Sequence, residues 1–462
     1  MSEDKPLERN DSSLLPTSRP VCAGSRNLAS SLDPVEKPRY VGWEEGRAVT
    51  LEQWLDYLEH RYKREIRLGL VNVARVAKLL EVVTWSIPVI TVAGTNGKGS
   101  TVAALSAIYQ AAGYQFGQFT SPHLLRFNER ICINQQPIPD ELLCQLFAKI
   151  EAVRGDTDLT FFEMSFLAAL LYFKDANLDL LILEVGLGGR LDATNVIDPD
   201  LAVITTIDLD HQDYLGSDRE SIGREKAGIM RTQRPCIYAD GSPPKSVLSH
   251  AQSLAVDLYC LGVDYHYQVV GDTLHIQQSF QDPIVLPLPS LHHHAAVAAV
   301  IASLCLRARL PIPAQAWAEA MQTVRIAGRQ QRVSGTISFL YDVAHNPQAA
   351  LALARCLQQQ APSGMVHAVF SALKDKDICG LIKPLRSIVG QWYPACLQGK
   401  RAATQAQLLT SFADGLGLQP QCYADPIQAT QAAITAAKPG DLIVIYGSFL
   451  MVSAVMQAEF HL

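Results

Sequence analysis

Eight residues, Gly94-Thr95-Asn96-Gly97-Lys98-Gly99-Ser100-Thr101, carry the strongest chemical signal in the chain. Glycines let backbone N–H groups approach phosphate oxygens, a helix N-terminus behind them adds a favourable dipole, and Lys98 adds a point charge. A hydroxyl at Ser100 or Thr101 is placed to reach a Mg²⁺ held between phosphates. An apolar, β-branched run at 87–92 precedes the loop and an alanine-rich segment at 102–112 follows it. The order is therefore strand, glycine-rich turn, helix. The pattern G-x-x-x-x-G-K-[ST] would require glycine at Val92 and a hydroxyl at Gly99, so this loop is a variant of the usual phosphate cradle. Thr95, Asn96, Gly97, Lys98, Gly99 and Ser100 are its candidate nucleotide contacts.

Other chemistry-bearing residues stand at the ends of apolar runs. Residues 115–120 read as a short strand ending at Thr120-Ser121-Pro122-His123. The nearly continuous apolar run 178–185 reads as a central parallel strand and carries Glu184 near its end. Residues 201–207 form another run, ending in Asp208-Leu209-Asp210-His211. Ligand groups in open α/β sheets gather just beyond the carboxyl ends of strands. The loop, Ser121, Glu184 and His211 are thus expected to form one nucleotide–metal site. Glu184 suits Mg²⁺, directly or through water. A solvent-exposed strand-end acid is the plainer alternative, and the tight loop Gly186-Leu187-Gly188-Gly189-Arg190-Leu191-Asp192-Ala193-Thr194-Asn195 weighs against it. His211 is an unusual ligand for a hard cation, and a satisfied structural histidine is an equal reading of it. Lys226, in Gly223-Arg224-Glu225-Lys226-Ala227-Gly228, reads by default as a solvated helix lysine.

The elements that position these groups follow an α/β pattern. Residues 51–80 read as helical with a turn near Leu68-Gly69-Leu70, and 160–173 as a buried apolar helix. A second unit starts near Gly335. Its strand 336–341 ends at Asp342, and His345-Asn346-Pro347 opens a helix with Asn346 as cap and Pro347 at its first position. Runs at 366–370 and 442–446 read as further parallel strands, the last ending at Gly447-Ser448. This is a Rossmann-like alternation without the G-x-G-x-x-G fingerprint, so dinucleotide binding is not expected.

At 462 residues the chain is long for one core. The expected organisation is a disordered tail at 1–41, a P-loop ATP-binding domain with a central, mostly parallel sheet at 42–326, a linker at 327–334 and a smaller Rossmann-like domain at 335–462. Each domain can bury its own core, so a monomer is expected. An apolar fraction of 48% and a charged fraction of 18% suit a soluble protein with large buried sheets. The net charge of −6 argues against nucleic-acid binding, which needs a basic face. Ten scattered cysteines without paired spacing read as reduced thiols of a cytoplasmic protein. No apolar run is long enough to span a bilayer, and the N-terminal residues lack the apolar stretch of a signal peptide.

Taken together the motifs carry a resemblance. GTNGKGS at 94–100, Ser121-Pro122-His123-Leu124, Phe127-Asn128-Glu129-Arg130, EVGLGGRLDATN at 184–195, DHQDYLG at 210–216, SIGREKAGI at 221–229 and DVAHNP at 342–347 look like the dihydrofolate synthase/folylpolyglutamate synthase family, within the Mur ligase superfamily. The resemblance covers about residues 42 to 460. It implies that Ser121, Glu184 and His211, with Ser100, hold Mg²⁺, and that Lys226 is carbamylated by CO₂. It implies that Arg329 and Asp342 contact ATP from the second domain and that His345 lies near the γ-phosphate. Phe162, between Phe161 and Glu163, matches a position that packs on the pterin. Leu191-Asp192-Ala193 and Ile66-Arg67-Leu68 match positions that bind dihydropteroate, and Ser448 is grouped with the substrate contacts.

One position departs from the family pattern. Aligning the LPLP segment at 286–289 puts Ala295 where members carry an adenine-contacting asparagine, behind His292-His293-His294. Consecutive histidines point in different directions on a helix, so a metal site there has little support.

The activity implied is an ATP-dependent amide ligase. The substrate carboxylate attacks the γ-phosphate, and glutamate's amine then attacks the acyl phosphate. The expected substrates are dihydropteroate, folates, L-glutamate and ATP. A glutamylation-only enzyme, a Mur-type ligase of UDP-sugar precursors and a non-catalytic nucleotide binder are the alternatives. The intact set Lys98, Glu184, His211, Lys226 and His345 argues against the last.

Overall fold

A computed structural model describes residues 49–61, 67–278, 281–360, 363–458 and 460. The expected tail at 1–41 and the candidate Ile66 lie outside the described residues. Eight strands form the first sheet: β1 Val89–Ala93, β2 Phe116–Phe119, β3 Ile131–Ile133, β4 Gln136–Pro137, β5 Leu180–Glu184, β6 Leu201–Ile204, β7 Pro235–Tyr238 and β8 Asp257–Cys260, in the order β4-β3-β2-β5-β1-β6-β7-β8. From β2 to β8 every neighbouring pair is parallel, while β3 and β4 add an antiparallel edge. β1 and β5 are buried at every residue, which is why they read as unbroken apolar runs rather than alternating ones.

Helices cover both faces. Lys98–Ala111 packs on His293–Cys305 and Ala314–Thr323. On the other face Phe161–Lys174 is buried almost all round. Thr160 starts that helix: its hydroxyl accepts from Glu163 N at 3.2 Å, and Glu163 Oε2 accepts from Thr160 N at 2.7 Å. This reciprocal box satisfies two of the donors a helix start leaves open.

Three antiparallel strands, β9 Tyr265–Val270, β10 Thr273–Gln278 and β11 Gln281–Pro287, make a small separate sheet that the sequence reading did not include. The signal was available, since Leu274 and Ile276 alternate with polar neighbours and only they are buried in β10.

The last five strands are β12 Gln331–Val333, β13 Ser338–Asp342, β14 Val366–Phe370, β15 Gln391–Pro394 and β16 Leu442–Tyr446, ordered β12-β13-β16-β14-β15. All pairs are parallel except β12 with β13. β12 falls inside the stretch expected as linker; its backbone pairs with β13, so that part belongs to the sheet. As expected, Asn346 caps the helix Pro347–Gln360, its Oδ1 accepting from Ala349 N at 3.0 Å.

Candidate functional site

The phosphate-type loop leaves β1 and is tied to the end of β6. Thr95 N donates to Thr206 O at 2.7 Å, Asn96 N to Thr206 Oγ1 at 3.1 Å, and Thr205 Oγ1 to Asn96 O at 2.6 Å. Gly94 has φ +151, and a Cβ there would stand 1.7 Å from Thr205 Oγ1, so only glycine fits. Lys98 opens the helix and folds back over the loop, donating to Gly94 O at 3.1 Å and Thr95 O at 3.4 Å. Burial lowers its pKa, while Glu184 and Asp210 pull the other way. Among the described residues this half-buried ammonium has only two carbonyls as hydrogen-bond partners, which phosphate oxygens can replace.

Glu184, at the end of β5, is buried and accepts from Ser121 N at 3.2 Å. Burial raises its pKa against the pull of Lys98. A Cβ on Gly99 would lie 3.7 and 3.8 Å from its two oxygens. Those are ordinary contact distances, so a Cβ at this position would itself touch the carboxylate without clashing. His211 begins the short helix Gln212–Leu215 with φ +51 and is held neutral, its pKa pushed by burial to about 4. A neutral imidazole keeps a lone pair for a ligand.

The donor chemistry of Ser121, Glu184, His211 and the buried Ser100 fits a divalent cation that also takes oxygens from phosphate and water. Among the described residues no three His, Cys, Asp or Glu side chains converge into a complete cage.

Asp210 is the junction between the first and last sheets. Lys376 Nζ donates to Asp210 Oδ1 at 2.7 Å, and Asn346 Nδ2 to Oδ2 at 3.3 Å. His345 Nε2 and His211 Nε2 lie 3.8 and 4.0 Å from the same Oδ2. Burial pushes the Asp210 carboxyl up, but His211 and Lys376 outweigh it and hold the group well below the carboxylate range. Sequence reasoning named neither Asp210 nor Lys376 as a site residue. No local pattern could pair them, because they are brought together only by the docking of one sheet's loops on the other.

His345 is fixed by Val343 O, 2.9 Å from its Nδ1, which assigns the ring proton to that nitrogen and leaves Nε2 an acceptor. Burial pushes its pKa to about 4. Asp342, also buried, accepts from Gln330 N at 3.0 Å and Ala344 N at 2.8 Å. Burial raises its pKa, and Arg329 opposes the shift. Arg329 stacks its guanidinium 5.3 Å from the Phe449 ring centroid. Ser448 is buried and uses its hydroxyl to accept from Met451 N at 3.1 Å, capping Phe449–Gln457.

A second wall is built from the remaining candidates. Phe162 packs edge-on to Phe119 at 5.5 Å and closes over the glycine loop: a Cβ on Gly186 would stand 2.6 Å from Phe162 Cζ. Phe161 meets Phe127 at 5.5 Å, with the Arg130 guanidinium 5.5 Å from the Phe161 ring. Arg67 NH2 donates to Glu163 Oε2 at 2.7 Å, and Gly69 N to Leu191 O at 3.1 Å, so the 67–69 and 186–195 loops adjoin. Leu68 is half-buried beside them and Ala193 buried. Asp192 is buried and organises its own loop, accepting from Leu187 N, Thr194 N and Thr194 Oγ1 at 2.9, 3.0 and 2.7 Å.

The default reading of Lys226 as a solvated helix lysine does not hold. The residue is only 3% exposed, and burial, with Lys98 adding repulsion, pushes its pKa down to about 7. Its polar helix docks on the glycine loop through Arg190 N, which donates to Glu225 O at 2.7 Å.

Ala295 is buried at the start of His293–Cys305 and offers no polar side chain. His294 beside it packs on Tyr267 at 5.5 Å, and burial lowers its pKa.

A Mur ligase middle domain matches residues 92–282, and a Mur ligase glutamate ligase domain matches residues 328–449. The chain is 43% identical over 411 residues to the dihydrofolate synthase/folylpolyglutamate synthase of Escherichia coli (strain K12), covering 89% of this chain and 96% of that protein. It is 35% identical to the protein of the same description from Haemophilus influenzae, covering 86% and 95%. Among solved structures, E. coli FolC in complex with DHPP and ADP is similar with a TM-score of 0.84 at 42% identity, covering 89% of this chain and 98% of that one. A bifunctional folylpolyglutamate synthase/dihydrofolate synthase with Mn, AMPPNP and L-glutamate bound is similar with a TM-score of 0.83 at 41% identity, covering 88% and 98%.

Proposed function

The chain belongs to the dihydrofolate synthase/folylpolyglutamate synthase family of Mur ligases, and we propose that the cluster beyond β1, β2, β5 and β6 is where it activates a carboxylate with ATP and joins it to L-glutamate. It is an ATP-dependent carbon–nitrogen ligase. The substrates are 7,8-dihydropteroate, which becomes dihydrofolate, and tetrahydrofolates, which gain further glutamates. The observation that carries the site is half-buried Lys98, coupled electrostatically to buried Glu184, on a loop whose Asn96 exchanges hydrogen bonds with Asn346 at the start of the last sheet's first helix.

A substrate carboxylate oxygen attacks the γ-phosphorus in line, and ADP leaves. Lys98 and the N–H groups of residues 95–100 neutralise charge building on the phosphate oxygens. Ser121, Glu184, His211 and Ser100 would hold Mg²⁺, which when bound supplies charge neutralisation across the phosphates. Glutamate's amine then attacks the acyl carbon, and phosphate departs with one oxygen of the original carboxylate. His345, a weak base with Nε2 free to accept, orients the amine by taking a hydrogen bond from it. Asp342 holds the backbone of 330 and 344, and so steadies Arg329 and His345 toward ATP. Phe161, Phe162, Glu163, Arg67, Leu68 and the 191–193 segment line the pterin side, with Ile66 adjoining in sequence, and Ser448 stands on the glutamate side. Closure around these groups excludes water that would hydrolyse the acyl phosphate.

Lys226, with a pKa of about 7, has a neutral amine available at physiological pH. Attack of that neutral amine on CO₂ forms the N–C bond and releases one proton, turning an uncharged buried group into a carbamate anion beside the proposed metal ligands. The same reading divides the chain into an ATP-binding part at 42–326 and a glutamate ligase part at 335–462, with the expected link at 327–334 giving β12 to the latter's sheet. It has the protein act on small molecules as a monomer in the cytoplasm, bound to neither nucleic acid nor membrane. In keeping with this, the described cysteines are free thiols, and among the described residues no helix is long and apolar enough to cross a membrane. The test is oxygen transfer. With ¹⁸O in the dihydropteroate carboxylate, the released phosphate should carry one label; unlabelled phosphate would rule out the acyl phosphate.

A further inference from the structure

Six side chains form a polar clasp across the site, and three of them were outside every motif used above. From the first sheet's side come Asn96, Thr206 and Asp210; from the last sheet's side come Asn346, Gln348 and Lys376. Asn96 and Asn346 exchange amide hydrogen bonds, Asn96 Nδ2 to Asn346 Oδ1 at 3.1 Å and Asn346 Nδ2 to Asn96 Oδ1 at 2.9 Å. Gln348 Oε1 accepts from Asn96 Nδ2 at 2.5 Å and from Thr206 Oγ1 at 3.4 Å. Lys376 and Asn346 grip the two oxygens of Asp210. The Lys376 and Asp210 side chains are only 7% and 10% exposed, so this ion pair is largely withdrawn from water.

Every one of these bonds joins residues more than 100 positions apart, and each joins the phosphate-type loop or the β6 end to the last sheet. Asn96 sits between the phosphate-binding positions 95 and 97, and Asn346 directly follows His345. The amide pair therefore fixes the distance between the phosphates and the histidine that meets the incoming amine. Gln348 stands on the first turn of the helix Pro347–Gln360, where its only described hydrogen bonds are these two. A surface glutamine with no such task would turn to solvent.

We infer that Gln348 and Lys376 are positioning residues: they lock the glutamate-ligase part onto the P-loop in register for amine attack, without touching ATP themselves. The inference rests on the ligase reading above. A lock of this kind acts on the transfer step, because misplacement by about 1 Å costs on the order of a hundredfold in rate. It leaves nucleotide affinity largely alone.

The experiment compares full-length Gln348→Met, Lys376→Met and Lys376→Arg with wild type in glutamate-dependent ADP release, with ADP affinity and melting temperature measured alongside. Gln348→Met keeps the side chain's length without its acceptor. The expected result is kcat at least about tenfold lower in both Met variants, KM for ATP and glutamate within about threefold, and partial recovery in Lys376→Arg. Solution scattering of the nucleotide-free Met variants should show a larger radius of gyration than wild type. Unchanged kcat with a lower melting temperature would reduce the clasp to a structural contact. A raised KM for glutamate with unchanged kcat would make the residue a ligand contact. Either outcome overturns the inference. If wild type itself gives no glutamate-dependent ADP release, the ligase reading fails instead. Should one Met variant not fold, the other decides.

Discussion

Two lysines lie deep at the candidate site and are treated in opposite ways. Lys376 has a carboxylate oxygen of Asp210 at 2.7 Å, and its charge is answered. Lys226 makes no ion pair among the described residues, is buried to 3% exposure, and is repelled by Lys98. A buried ammonium without a partner is costly, so the group is driven toward its neutral form. The contrast separates two uses of one side chain: a charged lysine holds parts together, whereas a neutral one is a nucleophile. Under the proposed reading, carbamylation of that neutral amine would place an anion beside the proposed metal ligands.

A third lysine sets the scale for this comparison. Lys98→Ala removes the charge that the proposed reading sets on the phosphates, and kcat should fall by on the order of a thousandfold in steady-state ADP release. Lys226→Met should cost less, on the order of a hundredfold, because it removes a group beside the metal ligands rather than one on the phosphates. Wild-type activity should also drop in CO₂-free buffer and return with bicarbonate. If bicarbonate has no effect, or rescues Lys226→Met as well, the contrast between the two lysines breaks down.

The smallest effect concerns stability. A lysine whose pKa is lowered from 10.5 to about 7 in the fold binds fewer protons there than in the unfolded chain. Between those values stability rises with pH, and it is lost as pH falls toward 7. Lys226→Met has no such penalty. In CO₂-free denaturant titrations it should be more stable than wild type, with the gap absent above about pH 10.5 and growing to a few kcal/mol near pH 7. A gap independent of pH would mean that Lys226 keeps its charge in the fold.

What the sequence made legible follows from range. The P-loop, Glu184 at a strand end and Asn346-Pro347 at a helix start are local patterns, and each stands where its strand or cap requires. β12 was hidden because a three-residue edge strand carries little periodicity, and β9–β11 because their alternation is short. Lys226 misled because its helix is polar in sequence; its burial comes from the 186–195 loop docking on it, a contact between distant segments. Asp210, Gln348 and Lys376 were missed for the same reason, since each is an ordinary polar residue until the two sheets meet. The glycine loop was legible as a tight turn, but its cause, close approach of Phe162 at Gly186, was not.

The most direct test of the account is ADP release by purified protein with ATP, Mg²⁺ and L-glutamate, supplying dihydropteroate and a tetrahydrofolate monoglutamate in separate reactions. Glutamate-dependent turnover with both is the predicted result. Turnover with the tetrahydrofolate alone, or ATP binding without turnover on either, would contradict it.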